Sequence, residues 1–377
     1  MAPLRFVRAP SIEHRFGAHR LERLVHFLGA GDPLADAAVD ALAPLPRDEQ
    51  QRLVDALVAG RRDGLPSAVA ALEASLSTIP FWVDLERASR GGRVVLRAGV
   101  LAGLVLGFKS LVLGYCSPAG NKPLVASGRL IEDVPRRLAE TSRFFEAVSL
   151  PGGMARHAPG FAATVRVRLM HARIRQALRR APRWQPDAWG LPINQYDMAG
   201  TVLMFSSVLL DGLATLGFEA TPAEQEDVLH LWRWVGHVMG VDPELLCSTR
   251  AEADALWTLL EETQAAPDED SRTLTHALIG GGRDRGVPEA WVRFGYALCR
   301  RLVGPRYAGP LGLPTDAWAL APALVSPLVR SLDRTARRVP GAEGAALRAG
   351  MQYWRRTIEL GDGDMTFPLP AVERFAS

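Results

Sequence analysis

The amino-acid sequence predicts an all-α protein, and its periodicity is the main reason. Along most of the 377 residues, apolar side chains recur at the spacing of an amphipathic helix. Alternation of apolar and polar residues, which predicts a half-buried strand, is hard to find over more than about five positions. Hydrophobic residues make up 48% and charged residues 23%, the composition of a soluble globular protein. These observations predict a helical core.

The placement of proline and glycine predicts three regions. Residues 1–79 carry short periodic segments that end near proline or glycine, and they predict an N-terminal helical extension packed on the core. Residues 80–360 carry longer segments and predict the main helical domain. Residues 361–377 are rich in proline and predict an extended tail on the surface.

The longer helices have start and stop signals. The segment 133–150 has Asp133 as a predicted cap, and the segment 161–180 ends before Pro182. A third helix is expected over 191–217, where "LPIN" provides the start and a glycine the end.

The fourth of these helices, over 221–240, has the clearest start. Thr221 and Glu224 have the spacing of a capping box, in which each residue satisfies a backbone N–H near the other.

A long apolar run covers residues 98–116. It contains Lys109 and four glycines, so its length and polarity are marginal for a membrane span. We expect a buried core helix here and no stable membrane span, with a membrane helix as the alternative.

Charge and cysteine content exclude several classes of protein. The formal net charge is +3, and no basic patch with interleaved aromatic residues indicates nucleic-acid binding. The cysteines Cys116, Cys247 and Cys299 lie far apart, which argues against a disulfide framework and favours a reducing compartment. The N-terminal stretch lacks the apolar region of a secretory signal, so a cytoplasmic location is expected.

His171 is the first candidate for chemistry. It shares an apolar helix face with Val167, Ile174 and Leu178. A neutral histidine on such a face needs partners for its ring nitrogens, and a metal is one possible partner. A core histidine with ordinary hydrogen bonds is the alternative.

A second group of candidates lies in "RRLAETSRFF". Arg137 and Thr141 are one helical turn apart, and Glu140 flanks them. A surface Arg–Glu pair beside a helical threonine is the alternative explanation.

The third candidate is the pair Asp197 and Thr201, also one turn apart. Both lie in the nearly uncharged helix predicted over 191–217. Helix capping accounts for Asn194 at its start, but it does not account for this pair.

The order of these motifs resembles the latex-clearing-protein (rubber oxygenase) family and its broader relatives, the MpaB-type oxygenases. The resemblance spans roughly residues 80–315. It is carried by the Arg-x-x-x-Thr element at Arg137 and Thr141, "RVRLMHARIR", "GLPINQYDMAGTVLMFSSVLLDGLATLG", "WRWVGHVMGV" and "RRLVGPRYAGPLGLP".

The resemblance implies a globin-like helical core with additional N- and C-terminal helices, holding a b-type haem. It places the axial iron ligand at His171 and the distal residues at Arg137 and Thr141. The rubber oxygenases have a lysine where this sequence has Glu140. This difference argues against rubber cleavage in particular and suggests an acid–base role for Glu140.

The function that follows is a haem b-dependent oxygenase acting on a small apolar or unsaturated substrate with dioxygen or peroxide. Three alternatives stay open at this point: a peroxidase-like enzyme, a non-catalytic haem-binding protein that senses or carries gas or haem, and a helical scaffold without haem.

Overall fold

The computed structural model describes residues 2–126, 134–283 and 286–359, and within these ranges the chain is all-α. One isolated bridge, between Phe6 and Gln264, is the β-type pairing that the described residues contain. The predicted cap Asp133 and the predicted tail 361–377 lie outside the described residues.

The described helices fall into three groups along the chain. The N-terminal group is α1 (Pro10–Phe16), α2 (Ala18–Leu28), α3 (Pro33–Leu42), α4 (Arg47–Val58) and α5 (Ser67–Ser77). The central group is α6 (Leu85–Ala98), α7 (Val100–Val105), α8 (Leu111–Tyr115), α9 (Lys122–Ala126), α10 (Val134–Ser149), α11 (Pro159–Arg180), α12 (Pro186–Trp189), α13 (Gln195–Phe205), α14 (Ser207–Thr215) and α15 (Pro222–Val238). The C-terminal group is α16 (Arg250–Glu262), α17 (Glu269–Gly280), α18 (Glu289–Val303), α19 (Pro305–Ala308), α20 (Ala321–Ala336) and α21 (Ala342–Glu359). A π-helical segment (Leu106–Ser110) joins α7 to α8, and 3₁₀ turns lie at Pro243–Leu245 and Ala317–Leu320.

The predicted caps of α13 and α15 are confirmed. Asn194 Oδ1 accepts a hydrogen bond from the backbone N–H of Asp197 at 2.9 Å. Thr221 and Glu224 form a full capping box, with distances of 3.2 Å and 2.7 Å. Both caps satisfy N–H groups that have no partner inside their helix.

The prediction of a single helix over 191–217 is wrong in one respect, because the helix breaks at Ser206. The backbone there leaves the helical region, with φ −118° and ψ −93°, and α14 starts at the next residue. The Ser206 hydroxyl donates to the carbonyl of Val202 at 2.8 Å. A serine hydroxyl that bonds to a carbonyl of the preceding turn can bend or interrupt a helix. The spacing of apolar residues in the sequence does not reveal such a bond.

The apolar run 98–116 is likewise interrupted, and it packs in the interior. It forms α7, the π-helical segment and α8, and it makes an angle of 86° with the preceding α6. By length and hydropathy, Gln195–Thr215 also qualifies as a membrane span, but 56% of its apolar window is buried inside the protein. Core helices of a globular fold pass the same criteria.

Helix α6 lies at the centre of the packing, between α10, α15 and α21. Its glycines permit close backbone approach: a Cβ at Gly92 would lie 2.1 Å from the carbonyl oxygen of Ser149 in α10. The neighbouring Gly91 faces the backbone of Asp227 in α15 in the same way. These contacts hold α10 and α15 against one scaffold helix.

The N-terminal helices contact the central group mainly through α3, which packs along α11. This contact reaches the helix that carries His171. The boundary predicted at residue 80 stays a prediction.

Candidate functional site

A cavity of about 650 Å³ lies among α10, α11, α13 and α15. Segments around α8 and α9, the end of α16 and the chain around α19 complete its wall. Most of the lining side chains are apolar, among them Phe144, Met170, Ile174, Phe205 and Trp232. The volume falls in the range of about 300–1,000 Å³ that is common for small-molecule and cofactor sites.

His171 lies in the wall of this cavity, and it is the only histidine among the described residues that line it. Its Nδ1 atom is buried and has no hydrogen-bond partner in the described part of the chain. Burial lowers the pKa of His171 to about 4; the nearby Arg175 acts in the same direction and Asp32 against it. The imidazole is therefore neutral at physiological pH, the form that can bind a metal. An unpartnered buried nitrogen is unfavourable and needs an explanation.

The residues predicted with His171 line the same cavity. Arg137, Glu140 and Thr141 reach it from α10, which packs against α11. Glu140 accepts a hydrogen bond from Arg136 Nε at 3.1 Å, and its side chain is 35% exposed. Glu140 therefore lies at the rim of the cavity, with access to solvent. Tertiary packing brings the candidates of two helices together, and their chemical roles stay predictions.

Asp197 and Thr201 also line the cavity, and the structure explains their polar groups. Arg5 binds both carboxylate oxygens of Asp197, at 2.6 and 2.8 Å, and it also donates to the hydroxyl of Ser117 at 2.9 Å. The Arg5 side chain is only 4% exposed. Thr201 donates to the backbone carbonyl of Asp197 at 2.9 Å. Asp197 therefore anchors the segment before α1 against the cavity wall.

Arg5 had no signal in the sequence, because a single arginine 192 positions from its partner looks like any surface residue.

Two buried arginines beside His171 were also missed. Arg168 donates to both oxygens of Asp32 in an ion pair whose side chains are 7% and 4% exposed. Arg175 pairs with Asp36 of α3 and donates from Nε to the carbonyl of Ile193 at 3.2 Å. A signal did exist: the spacing i−3 and i+4 puts both arginines on the His171 side of α11.

A further polar group in the cavity wall escaped the sequence reasoning. The hydroxyl of Tyr307 donates to Oε1 of Glu261 at 3.0 Å, and both side chains line the cavity. Burial raises the pKa of Glu261, although Tyr307 and two nearby cations oppose this shift. Glu261 follows an apolar stretch in α16, but nothing local in the sequence shows that it faces a cavity.

Comparison with known proteins adds three findings. A family model described as "ER-bound oxygenase mpaB/B'/Rubber oxygenase, catalytic domain" matches residues 87–339. Rubber oxygenase from Streptomyces sp. (strain K30) is 24% identical over 219 residues, which cover 58% of this chain. The match covers 54% of that protein, so the chain spans about half the length of this curated relative.

The third finding is a likeness of fold. The solved structure of latex clearing protein LCP in the closed state superposes with a TM-score of 0.71 at 20% sequence identity. The superposition covers 91% of this chain and 95% of that one.

Proposed function

Because the chain belongs to the family of the ER-bound oxygenase mpaB/B' and rubber oxygenase catalytic domain, we propose that it is a haem b-dependent, oxygenase-like oxidoreductase. Its substrate would be a small apolar or unsaturated molecule, and dioxygen or peroxide would be the second reactant. When bound, haem would supply the chemistry that activates this reactant.

The observation that carries the proposal is the state of His171. It has a neutral imidazole in the wall of a large, mainly apolar cavity, and its buried Nδ1 has no partner among the described residues. The described residues contain no group of three or more His, Cys, Asp or Glu side chains that could hold a bare metal ion. A haem would bring its own nitrogen ligands to the iron, so His171 alone would be enough to hold it. The side chains that are present therefore fit a haem better than a protein-ligated metal.

The other polar residues of the cavity have roles that fit this proposal. The guanidinium of Arg137 is suited to bind a haem propionate or to stabilise negative charge that develops on the oxidant. The hydroxyl of Thr141 can donate a hydrogen bond into the same space. Glu140, at the solvent-accessible rim, can exchange a proton with water and pass it inward.

The substrate class follows from the wall of the cavity. Apolar side chains predominate among the lining residues, which favours a hydrocarbon-rich molecule. Glu140 replaces the lysine of the rubber oxygenases, and we propose that rubber itself is not the substrate. The three scattered, unpaired cysteines support our proposal of a reducing, cytoplasmic location.

The first experiment is an absorption spectrum of the purified chain, oxidised and dithionite-reduced, after supplementation with haem. A Soret band is expected for the parent protein and its loss for His171→Ala. His237→Ala is the matched control, because His237 stacks on Trp234 outside the cavity and its loss should leave the spectrum unchanged. No Soret band in the parent protein, or a normal one in His171→Ala, would contradict the proposal.

The second experiment separates an enzyme from a non-catalytic haem protein. Turnover of small alkenes and terpenoids is measured with dioxygen and, separately, with peroxide. Arg137→Ala and Thr141→Ala should retain most of the haem and lower the rate by roughly ten- to a thousandfold, the usual size of such contributions. If Glu140→Gln leaves every rate unchanged, the proton-transfer role of Glu140 is wrong.

A further inference from the structure

The cavity has a polar region separate from the surroundings of His171. It is formed by Glu261, at the end of α16, and Tyr307, in α19. The Tyr307 hydroxyl donates to Glu261 Oε1 at 3.0 Å. The Trp257 side chain also hydrogen-bonds to Glu261. A carboxylate has about four acceptor positions, so these two bonds leave capacity for a further donor in the cavity.

The charges around Glu261 differ from those around His171. Arg306 and Lys109 are the cations that act on the Glu261 carboxylate, whereas Arg175 and Asp32 are the charged groups that act on His171. Glu261 and His171 are therefore influenced by different charged residues. Apolar side chains make up most of the rest of the cavity wall.

Arg306 also lines the cavity, next to Glu261. It is exposed to solvent, and its guanidinium donates to the backbone carbonyl of Glu261 at 2.7 Å. The Glu261–Tyr307 pair therefore lies beside a solvent-exposed cation of the cavity wall.

We infer that the Glu261–Tyr307 pair binds a hydroxyl group of the substrate, which makes the substrate an amphipathic alcohol with an unsaturated apolar chain. This inference rests on the proposed function, because it names the substrate class of the same cavity. The substrate hydroxyl donates to the Glu261 carboxylate, and Tyr307 keeps that carboxylate in place. The apolar chain then extends toward His171.

The chemistry of the pair favours a hydroxyl over an ammonium group. Arg306 and Lys109 already offset the negative charge of Glu261, so a positively charged head would gain little net attraction there. A neutral hydroxyl does not depend on this attraction and still supplies the donor. A pure hydrocarbon would offer no donor to the remaining acceptor positions of this half-buried carboxylate, which is unfavourable.

The test compares geraniol, an unsaturated alcohol, with its methyl ether, which lacks only the donor. Both are titrated by calorimetry into the haem-supplemented full chain, and the Soret spectrum of the same sample is recorded. In the parent protein we expect the alcohol to bind more tightly than the ether by roughly three- to tenfold, the size of one net hydrogen bond. Glu261→Leu should abolish this preference, and Tyr307→Phe should reduce it at least twofold.

Glu262→Leu is the matched control. Glu262 is the next residue of the same helix, but it pairs with Arg15 at the surface and does not line the cavity. The control should keep the preference for the alcohol. Equal binding of alcohol and ether by the parent protein, or an unchanged preference in both Glu261→Leu and Tyr307→Phe, overturns the inference. The Soret band reports on the proposed function independently, so the two failures are distinguishable.

Discussion

Replacing Asp32 by asparagine should destabilise the protein far more than a surface charge change would. Asp32 caps α3 by accepting from the N–H of Ala35 at 3.2 Å, and it receives two hydrogen bonds from Arg168 at 2.6 and 2.9 Å. Arg168 also donates to the carbonyl of Val238 at 3.2 Å. Asparagine keeps the volume and one acceptor oxygen, but it turns an amide NH₂ toward the guanidinium.

The expected loss is about 3–5 kcal/mol, because a buried guanidinium is left without its counter-charge. The burial of the pair justifies the upper range: the side chains of Arg168 and Asp32 are only 7% and 4% exposed. Space for relaxation is small as well. Gly240 lies against the pair, and a Cβ there would approach Asp32 Oδ2 to 2.3 Å, so the backbone packs tightly on that side.

The assay is urea unfolding of Asp32→Asn, of Arg168→Met and of the double variant. The double variant should recover at least half of the loss, because removing both charges leaves no uncompensated ion. Asp40→Asn is the matched control: Asp40 pairs with Arg180 between the same two helices, but at 3.7 Å and with side chains 59% and 73% exposed. It should cost less than about 1 kcal/mol. An Asp32→Asn loss no larger than that of the control would refute the reasoning.

Two further predictions concern pH and helix packing. The pKa of His171 lies at about 4, below its ordinary value of 6.5, so between these values the unfolded chain binds more protons than the folded one. The contribution of neutral His171 to the free energy of unfolding is complete above about pH 6.5 and is lost as the pH falls toward 4. Over this range the unfolding free energy of the haem-free parent protein should fall by about 3 kcal/mol more than that of His171→Leu. Equal slopes of unfolding free energy against pH would contradict this. Gly92→Ala should cost at least about 2–3 kcal/mol in urea unfolding, because its Cβ would meet the backbone of Ser149 at 2.1 Å. Gly107→Ala, with no atom within 4 Å of the new Cβ, should stay within about 1 kcal/mol of the parent; similar losses for the two would show that backbone contact is not the cause.

The all-α class and the main helices could be predicted from the sequence because they depend on local signals. Helix period, proline placement and the capping residues Asn194 and Thr221 act within a few positions of one another. The break at Ser206 was missed because the apolar pattern continues through it, while the break itself depends on one hydroxyl and the backbone around it.

The candidate site, too, could be predicted only in part. The apolar face of α11 was enough to single out His171, and the order of motifs was enough to link it with Arg137 and Thr141. Whether their helices share a cavity depends on how α10 and α11 pack, and only the tertiary structure places the three residues around one cavity.

What the sequence determined by itself, then, is the all-α class, most of the helix positions and His171 as a candidate, because amphipathic periodicity and capping are properties of neighbouring residues. Only the tertiary structure revealed that Arg5, Asp32 and Asp36 of the N-terminal region form ion pairs with α13 and α11, and that Glu261 faces the cavity. The physical reason is that an ion pair or a cavity wall joins residues that are far apart in the chain, and its energy depends on burial. A charged residue has the same letter in the sequence whether it is solvated or buried.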